Sequence, residues 1–142
     1  MNLFQVTPDI WRGSRPEKLA DFVAIRAQFK SVIDLEGGNL YEAEGSTLNL
    51  PEIPEPITTA QIVFPFCAPS VDKIEEIARA INSAPKPVFV HCREGRDRTG
   101  IAIGAWRSIY GDWTKAEAWA EMKKFGYRYY WNFGLNKTWR EL

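Results

Sequence analysis

One histidine and two cysteines, His91, Cys67 and Cys92, are the only imidazole and thiol groups in the 142-residue chain. They cannot complete a four-ligand zinc site by themselves, so no structural metal is expected and no cofactor is called for. Net charge is missing too. The chain's 18 Lys and Arg are matched by 18 Asp and Glu, a balance that argues against holding duplex DNA or another polyanion. No nucleic-acid partner is expected. Long apolar runs are also absent, since nothing approaches the roughly 18 to 20 residues needed to span a bilayer. The opening MNLFQVTPDIWRGS has no cationic start leading into an apolar stretch and no small-residue cleavage pattern. A soluble, cytoplasmic protein without stable membrane insertion is expected.

The composition that remains is that of a folded domain. Hydrophobic residues make up 45% and charged residues 25% of the chain, both globular values. The length suits one domain over residues 1–142, large enough to bury about two thirds of the surface its unfolded chain exposes.

Local patterns place the elements. Leu3 to Val6 and Ile10 to Arg12, around Thr7-Pro8-Asp9, read as two short strands. Ser14 with Glu17 reads as a capping box with Pro16 in the first turn. A helix over 16–29 would then bury Leu19, Phe22, Ile25 and Phe29. SVIDL at 31–35 reads as a buried strand, and a short helical turn is possible near Tyr41 to Leu48. AQIVFPF reads as another strand, after which Ser70 caps a helix carrying Val71, Ile74, Ile77, Ala78 and Ile81 on one face. Pro85 and Pro87 stop it and lead into the β-rich run PVFVH. Strand, helix, strand in that order predicts a parallel pair with a right-handed crossover. GIAIGAWRSIY predicts a buried helix, and Thr114 with Glu117 opens another that runs to about Phe125. The aromatic tail GYRYYWNFGLNKTWREL is expected to pack on the sheet. Together these elements predict an α/β fold: a central, mainly parallel sheet of about four or five strands flanked by helices.

Residues 88–100, VFVHCREGRDRTG, carry the chemistry. A strand-like run stops at Cys92, Arg93, Arg96 and Arg98 follow within six residues, and a helical pattern begins at once. A loop that leaves a buried strand and feeds a helix N-terminus turns backbone N–H groups inward, and the helix dipole adds positive potential there. Such a nest takes phosphate. Gly95 permits torsions other residues avoid, and Arg98 can offer a planar fork to two phosphate oxygens. Cys92 lies at the base of that cup. Thiolate is the attacking form of cysteine, and a cationic, amide-lined cup favours it. Thr99 is placed to hydrogen-bond the sulfur.

Cys92, five residues, Arg98 and Thr99, with His91 before and Gly95 within, resemble the signature loop of the cysteine-based protein tyrosine and dual-specificity phosphatases. IWRGSRP, VIDL and WTKAEAWAEMKKFG resemble its small dual-specificity-like branch. Residues 36–58 resemble nothing in it. The resemblance implies a dual-specificity-phosphatase-like fold and a metal-independent phosphomonoesterase. Cys92 would form a phosphocysteine while Arg98 and the loop amides hold the phosphate. Most members carry a general-acid aspartate where this chain has FCAPS, with Asp72 the nearest upstream carboxylate. Asp97 before Arg98 resembles the Asp-Arg-Thr ending of bacterial lipid-phosphatase-like enzymes, myotubularins and Sac-type phosphoinositide phosphatases. Asp97 is therefore expected as general acid, with Asp72 as the alternative.

Arg93, Glu94, Gly95 and Arg96 are expected to bind substrate. The added cations resemble those of inositol-phosphate and phosphoinositide phosphatases, so the expected substrate is a small-molecule inositol polyphosphate, as for phytase-like enzymes. The alternatives are a dual-specificity protein phosphatase, a catalytically silent phosphate-binding module, and an RNA 5′-triphosphatase, which the neutral net charge opposes. Glu94 also reads as an arginine partner, and His91 as a residue that orders the loop from the opposite face of the strand. Cys67 reads as a plain buried thiol or as a disulfide partner of Cys92. Arg15, Lys86 and the Arg128 to Lys137 region are candidates, by charge, for meeting further phosphates.

Overall fold

A computed structural model describes residues 1–36, 58–62 and 68–142. The elements are β1 (Leu3–Thr7), β2 (Ile10–Ser14), α1 (Leu19–Gln28), β3 (Ser31–Asp34), β4 (Thr58–Gln61), α2 (Val71–Ser83), β5 (Val88–Cys92), α3 (Arg98–Tyr110), α4 (Lys115–Lys124) and α5 (Phe133–Glu141). The five strands form one sheet in the order β1-β2-β5-β3-β4. Only the β1–β2 pair is antiparallel; β2, β5, β3 and β4 run parallel. This is the expected α/β domain. The anticipated turn near Tyr41 to Leu48, the later part of AQIVFPF, and Cys67 lie outside the described residues.

β5 is the middle strand, covered on both faces. That is why Val88, Phe89 and Val90 form an unbroken apolar run, each fully buried. Alternation along the strands sends Val32 and Phe89 to one face, where Ile25 and Phe29 cover them. Ile33, Val88 and Val90 point to the other, against Ile74, Ile77, Ile81, Ile101 and Ile103. Each fully buried isoleucine contributes roughly 1.5–3 kcal/mol over an exposed one. The larger core therefore lies on the side of α2 and α3.

Two helix starts follow their caps as expected. Ser70 Oγ accepts from the Lys73 amide at 3.1 Å, while Thr114 and Glu117 exchange reciprocal bonds of 3.1 and 3.3 Å. The start of α1 corrects the expectation. Ser14 remains in β2, in register with Cys92, and its Oγ accepts from the Asn2 amide at 2.7 Å. The helix begins at Leu19 instead, with Asp21 Oδ2 accepting from the Glu17 and Lys18 amides at 3.0 and 3.1 Å. Those two bonds hold the Asp21 carboxyl below its ordinary range. Leu19 consequently faces solvent, whereas Phe22, Ile25 and Phe29 are buried.

The tail also differs from expectation. It contains a helix, α5, that packs on α2 and α4. Trp139 stacks on Trp119 of α4 with ring centroids 6.2 Å apart, and Thr138 Oγ1 donates to the Pro69 carbonyl at 2.6 Å. Among the described residues no helix is long and apolar enough to cross a membrane.

Candidate active site

β5 ends on Cys92, beside Ser14 of β2, and its neighbour His91 is level with Asp34 of β3. The thiol is thus delivered at the C-terminal edge of a parallel sheet, where such sheets bind ligands. His91 leaves the opposite face, its ring stacked 5.2 Å from Phe89. Burial lowers the His91 pKa from its ordinary value, against the attraction of Asp34, so the ring is neutral at physiological pH.

After Cys92 the chain turns back sharply at Gly95, whose φ is 75°. This fold-back lets the Gly95 amide donate to Cys92 Sγ at 3.3 Å. β2 holds the loop in place. Arg12 Nη2 donates to the Gly95 carbonyl at 2.9 Å, and the Arg15 amide donates to the Arg93 carbonyl at 3.1 Å. Arg12 is only 1% exposed and lies 4.6 Å over the Phe125 ring. Burial lowers its pKa to about 10, against the attraction of Glu121 and Cys92. It therefore stays charged beneath the loop at neutral pH.

A methyl group at Gly95 would lie 2.5 Å from the carbonyl carbon and oxygen of Gly13. Gly95→Ala is expected to cost about 1–3 kcal/mol for the left-handed torsion and the displaced backbone. A urea titration checks this; an unchanged midpoint would show that the loop relaxes without strain.

α3 begins at Arg98, with Asp97 at its N-cap position but making no side-chain cap bond. The carboxylate turns instead toward residues 128–132. Oδ1 accepts from the Arg128 amide at 2.9 Å and from Asn132 Nδ2 at 2.8 Å. Oδ2 accepts from Arg128 Nε at 2.9 Å and from Arg128 Nη2. The same Nη2 pairs with Glu94 Oε2 at 2.8 Å. The Asp97 bonds, against the opposing effect of burial, set the Arg128 guanidinium above its ordinary pKa. Burial, with Asp97 close by, also pushes the Tyr127 hydroxyl up. Four donor atoms thus surround a carboxylate that is 2% exposed.

These groups enclose a cavity of about 240 Å³ lined by Cys92, Arg93, Glu94, Asp97, Arg98, Arg128 and Trp131. The loop candidates Cys92, Arg93, Glu94, Asp97 and Arg98 therefore meet in one place. Gly95 and Thr99 are buried behind it, and Thr99 Oγ1 has no hydrogen-bond partner among the described residues. Arg96 does not line the cavity. It is exposed and runs alongside Gly126, where a Cβ would come within 3.3 Å of Arg96 Cδ. Asp72 is exposed in the first turn of α2 and is not among the lining residues either.

Of the cations proposed by charge, only Arg128 enters the cavity. Lys86, its pKa lowered by burial, bonds the Ile81 and Asn82 carbonyls at the end of α2. Arg15 pairs with Glu36 at 3.2 Å. Sequence reasoning missed Arg12, Trp131 and Asn132 as site residues. The one local signal for Arg12 was a charge inside a short strand that its neighbours mark as buried. Among the described residues no group of three His, Cys, Asp or Glu could hold a metal ion.

Residues 5–129 match the family model described as DSP-PTPase phosphatase fused to NAD+ kinase. The chain belongs to this phosphatase family. It is 24% identical over 133 residues to the dual specificity protein phosphatase TpbA of Pseudomonas aeruginosa, a match covering 89% of this chain and 56% of TpbA. The chain therefore spans a little over half the length of that curated relative. The crystal structure of TpbA superposes with a TM-score of 0.79 at 20% identity, covering 99% of this chain and 84% of that one. TpbA in complex with pTyr superposes at 0.72, with 22% identity and 89% and 75% of the two chains covered. The catalytic core of the PP-IP phosphatase SIW14 from S. cerevisiae gives 0.76 at 20% identity, with coverage of 97% and 83%. These likenesses establish a common fold, and the family places the domain among the cysteine-based phosphatases.

Proposed function

We propose that the domain is a metal-independent phosphomonoesterase that takes one phosphate into its loop and favours aryl esters, phosphotyrosine foremost. Cys92 thiolate attacks phosphorus in line, Arg98 and the loop amides hold the equatorial oxygens, and a phosphocysteine forms that water then hydrolyses. The Gly95 amide, which donates to Cys92 Sγ, steadies the sulfur.

The observation that carries the choice of substrate is the pairing of Arg128 with both Asp97 and Glu94. Among the described residues three guanidiniums line the cavity, those of Arg93, Arg98 and Arg128, beside two carboxylates and the thiol. With the thiol ionised these charges cancel, whereas a polyphosphate needs an excess of cations. The same pairing removes Asp97 from acid catalysis and makes it the anchor of residues 128–132. A leaving group that departs without much help then has the advantage. Tyrosine, with a phenol pKa of about 10, is a far better one than an aliphatic alkoxide. The pTyr complex of TpbA agrees with this reading.

A second reading, an inositol polyphosphate or phosphoinositide, is favoured by Arg93, an exposed cation on the cavity wall, and by the likeness to SIW14. Phosphate release from a phosphotyrosine peptide and from inositol hexakisphosphate, each with a chelator present, separates the two. The peptide is expected to give the higher kcat/KM. A higher value for the hexakisphosphate would move the substrate to the second reading, and release from neither would leave a phosphate-binding module.

A further inference from the structure

Four aromatic side chains near the end of the chain are open to solvent: Tyr129, Tyr130, Trp131 and Phe133, at 50%, 65%, 57% and 73% exposure. Exposed aromatics scattered singly need no explanation. Trp131 differs from the other three because it alone also lines the cavity that holds Cys92 and Arg98. We propose that Trp131 is a specificity-determining residue whose indole stacks on the planar leaving group of an aryl phosphate seated in the loop. This rests on the phosphatase reading above and assigns the part of the site that recognises the organic half of the substrate.

The indole is held in position before any ligand arrives. The Arg128 guanidinium lies 4.6 Å from the centroid of the Trp131 ring, within reach of a cation–π contact. That guanidinium is itself fixed by Asp97 and Glu94. Asn132, the next residue along the chain, is tied to Asp97 at 2.8 Å and to the Arg128 carbonyl at 3.0 Å. A chain of bonds therefore runs from the phosphate loop through Asp97 to the segment carrying the indole. An aromatic wall fixed relative to the phosphate site costs little ordering on binding. Its exposed surface offers a flat partner the offset or edge-on contacts that aromatic pairs prefer. An aliphatic alcohol has no such face. Among the described residues the other cavity-lining side chains are all charged except Cys92, so none of those offers the same contact.

The test compares Trp131→Ala and Trp131→Phe with the parent domain, using phenyl phosphate as substrate and inorganic phosphate as competitive inhibitor. The inhibition constant reports the phosphate loop alone, and KM reports loop and ring together. Trp131→Ala should raise KM for phenyl phosphate about fivefold to tenfold, with kcat little changed and the phosphate inhibition constant within about twofold. Trp131→Phe, which keeps a flat ring, should restore most of the difference. Equal losses in KM and phosphate affinity would make the residue a support for the loop, and an unchanged KM would remove it from the site; either overturns the inference and leaves the phosphatase reading standing. Absence of turnover by the parent domain would overturn both.

Discussion

Cys92→Ser abolishes phosphate release from phenyl phosphate, with a loss in kcat on the order of 10⁵-fold or more, as for other enzymes deprived of their nucleophile. The sulfur sits at the end of the central strand, 3% exposed, with the Gly95 amide donating to it. A serine oxygen in that place remains a neutral hydroxyl, because among the described residues nothing beside it serves as a base. His91 points to the opposite face of β5, against Phe89. The carboxylates lining the cavity, Asp97 and Glu94, are both paired with Arg128. The loop itself is kept, so the variant should still bind inorganic phosphate, and isothermal titration alongside a phosphate-release assay checks both halves. Residual kcat within about tenfold of the parent would mean that another group attacks phosphorus.

Arg98→Lys is expected to lower kcat/KM by about 10²- to 10³-fold, the range seen when one preorganised donor to developing charge is lost. Arg98 is the first residue of α3 and 7% exposed, so its guanidinium is presented to the cavity by the helix start. A lysine keeps the charge but gives up the planar fork, which matches two phosphate oxygens at once. Most of the loss should fall on kcat, because charge on the equatorial oxygens is best met by two donors fixed in advance. Steady-state kinetics with phenyl phosphate measures it, and a loss confined to KM would assign Arg98 to ground-state binding alone.

Much of this was legible along the chain. The strand ending at Cys92, the turn at Gly95 and the helix that follows are dictated by residues within about ten positions of each other, as are the caps at Ser70 and Thr114. Apolar periodicity marked the buried face of α2 correctly because that helix covers one side of the sheet. The same logic failed at Ser14, where a capping pattern lost to pairing with β5, a partner distant in sequence. It failed again in the tail, where aromatics hid the amphipathic pattern of α5 and its seat on Pro69 and Trp119.

The residue types of the phosphate loop, and with them the class of chemistry, were settled by local order alone: a thiol, a flexible turn and a fork of donors at set spacing can be read wherever they occur. Which charges remain available to a substrate was decided only by folding. Asp97 meets Arg128 across 31 positions and Arg12 reaches the Gly95 carbonyl across 83, while Arg96 turns away beside Gly126. An ion pair depends on distance in space, and spacing along a chain sets that distance only within a turn or two of helix or strand.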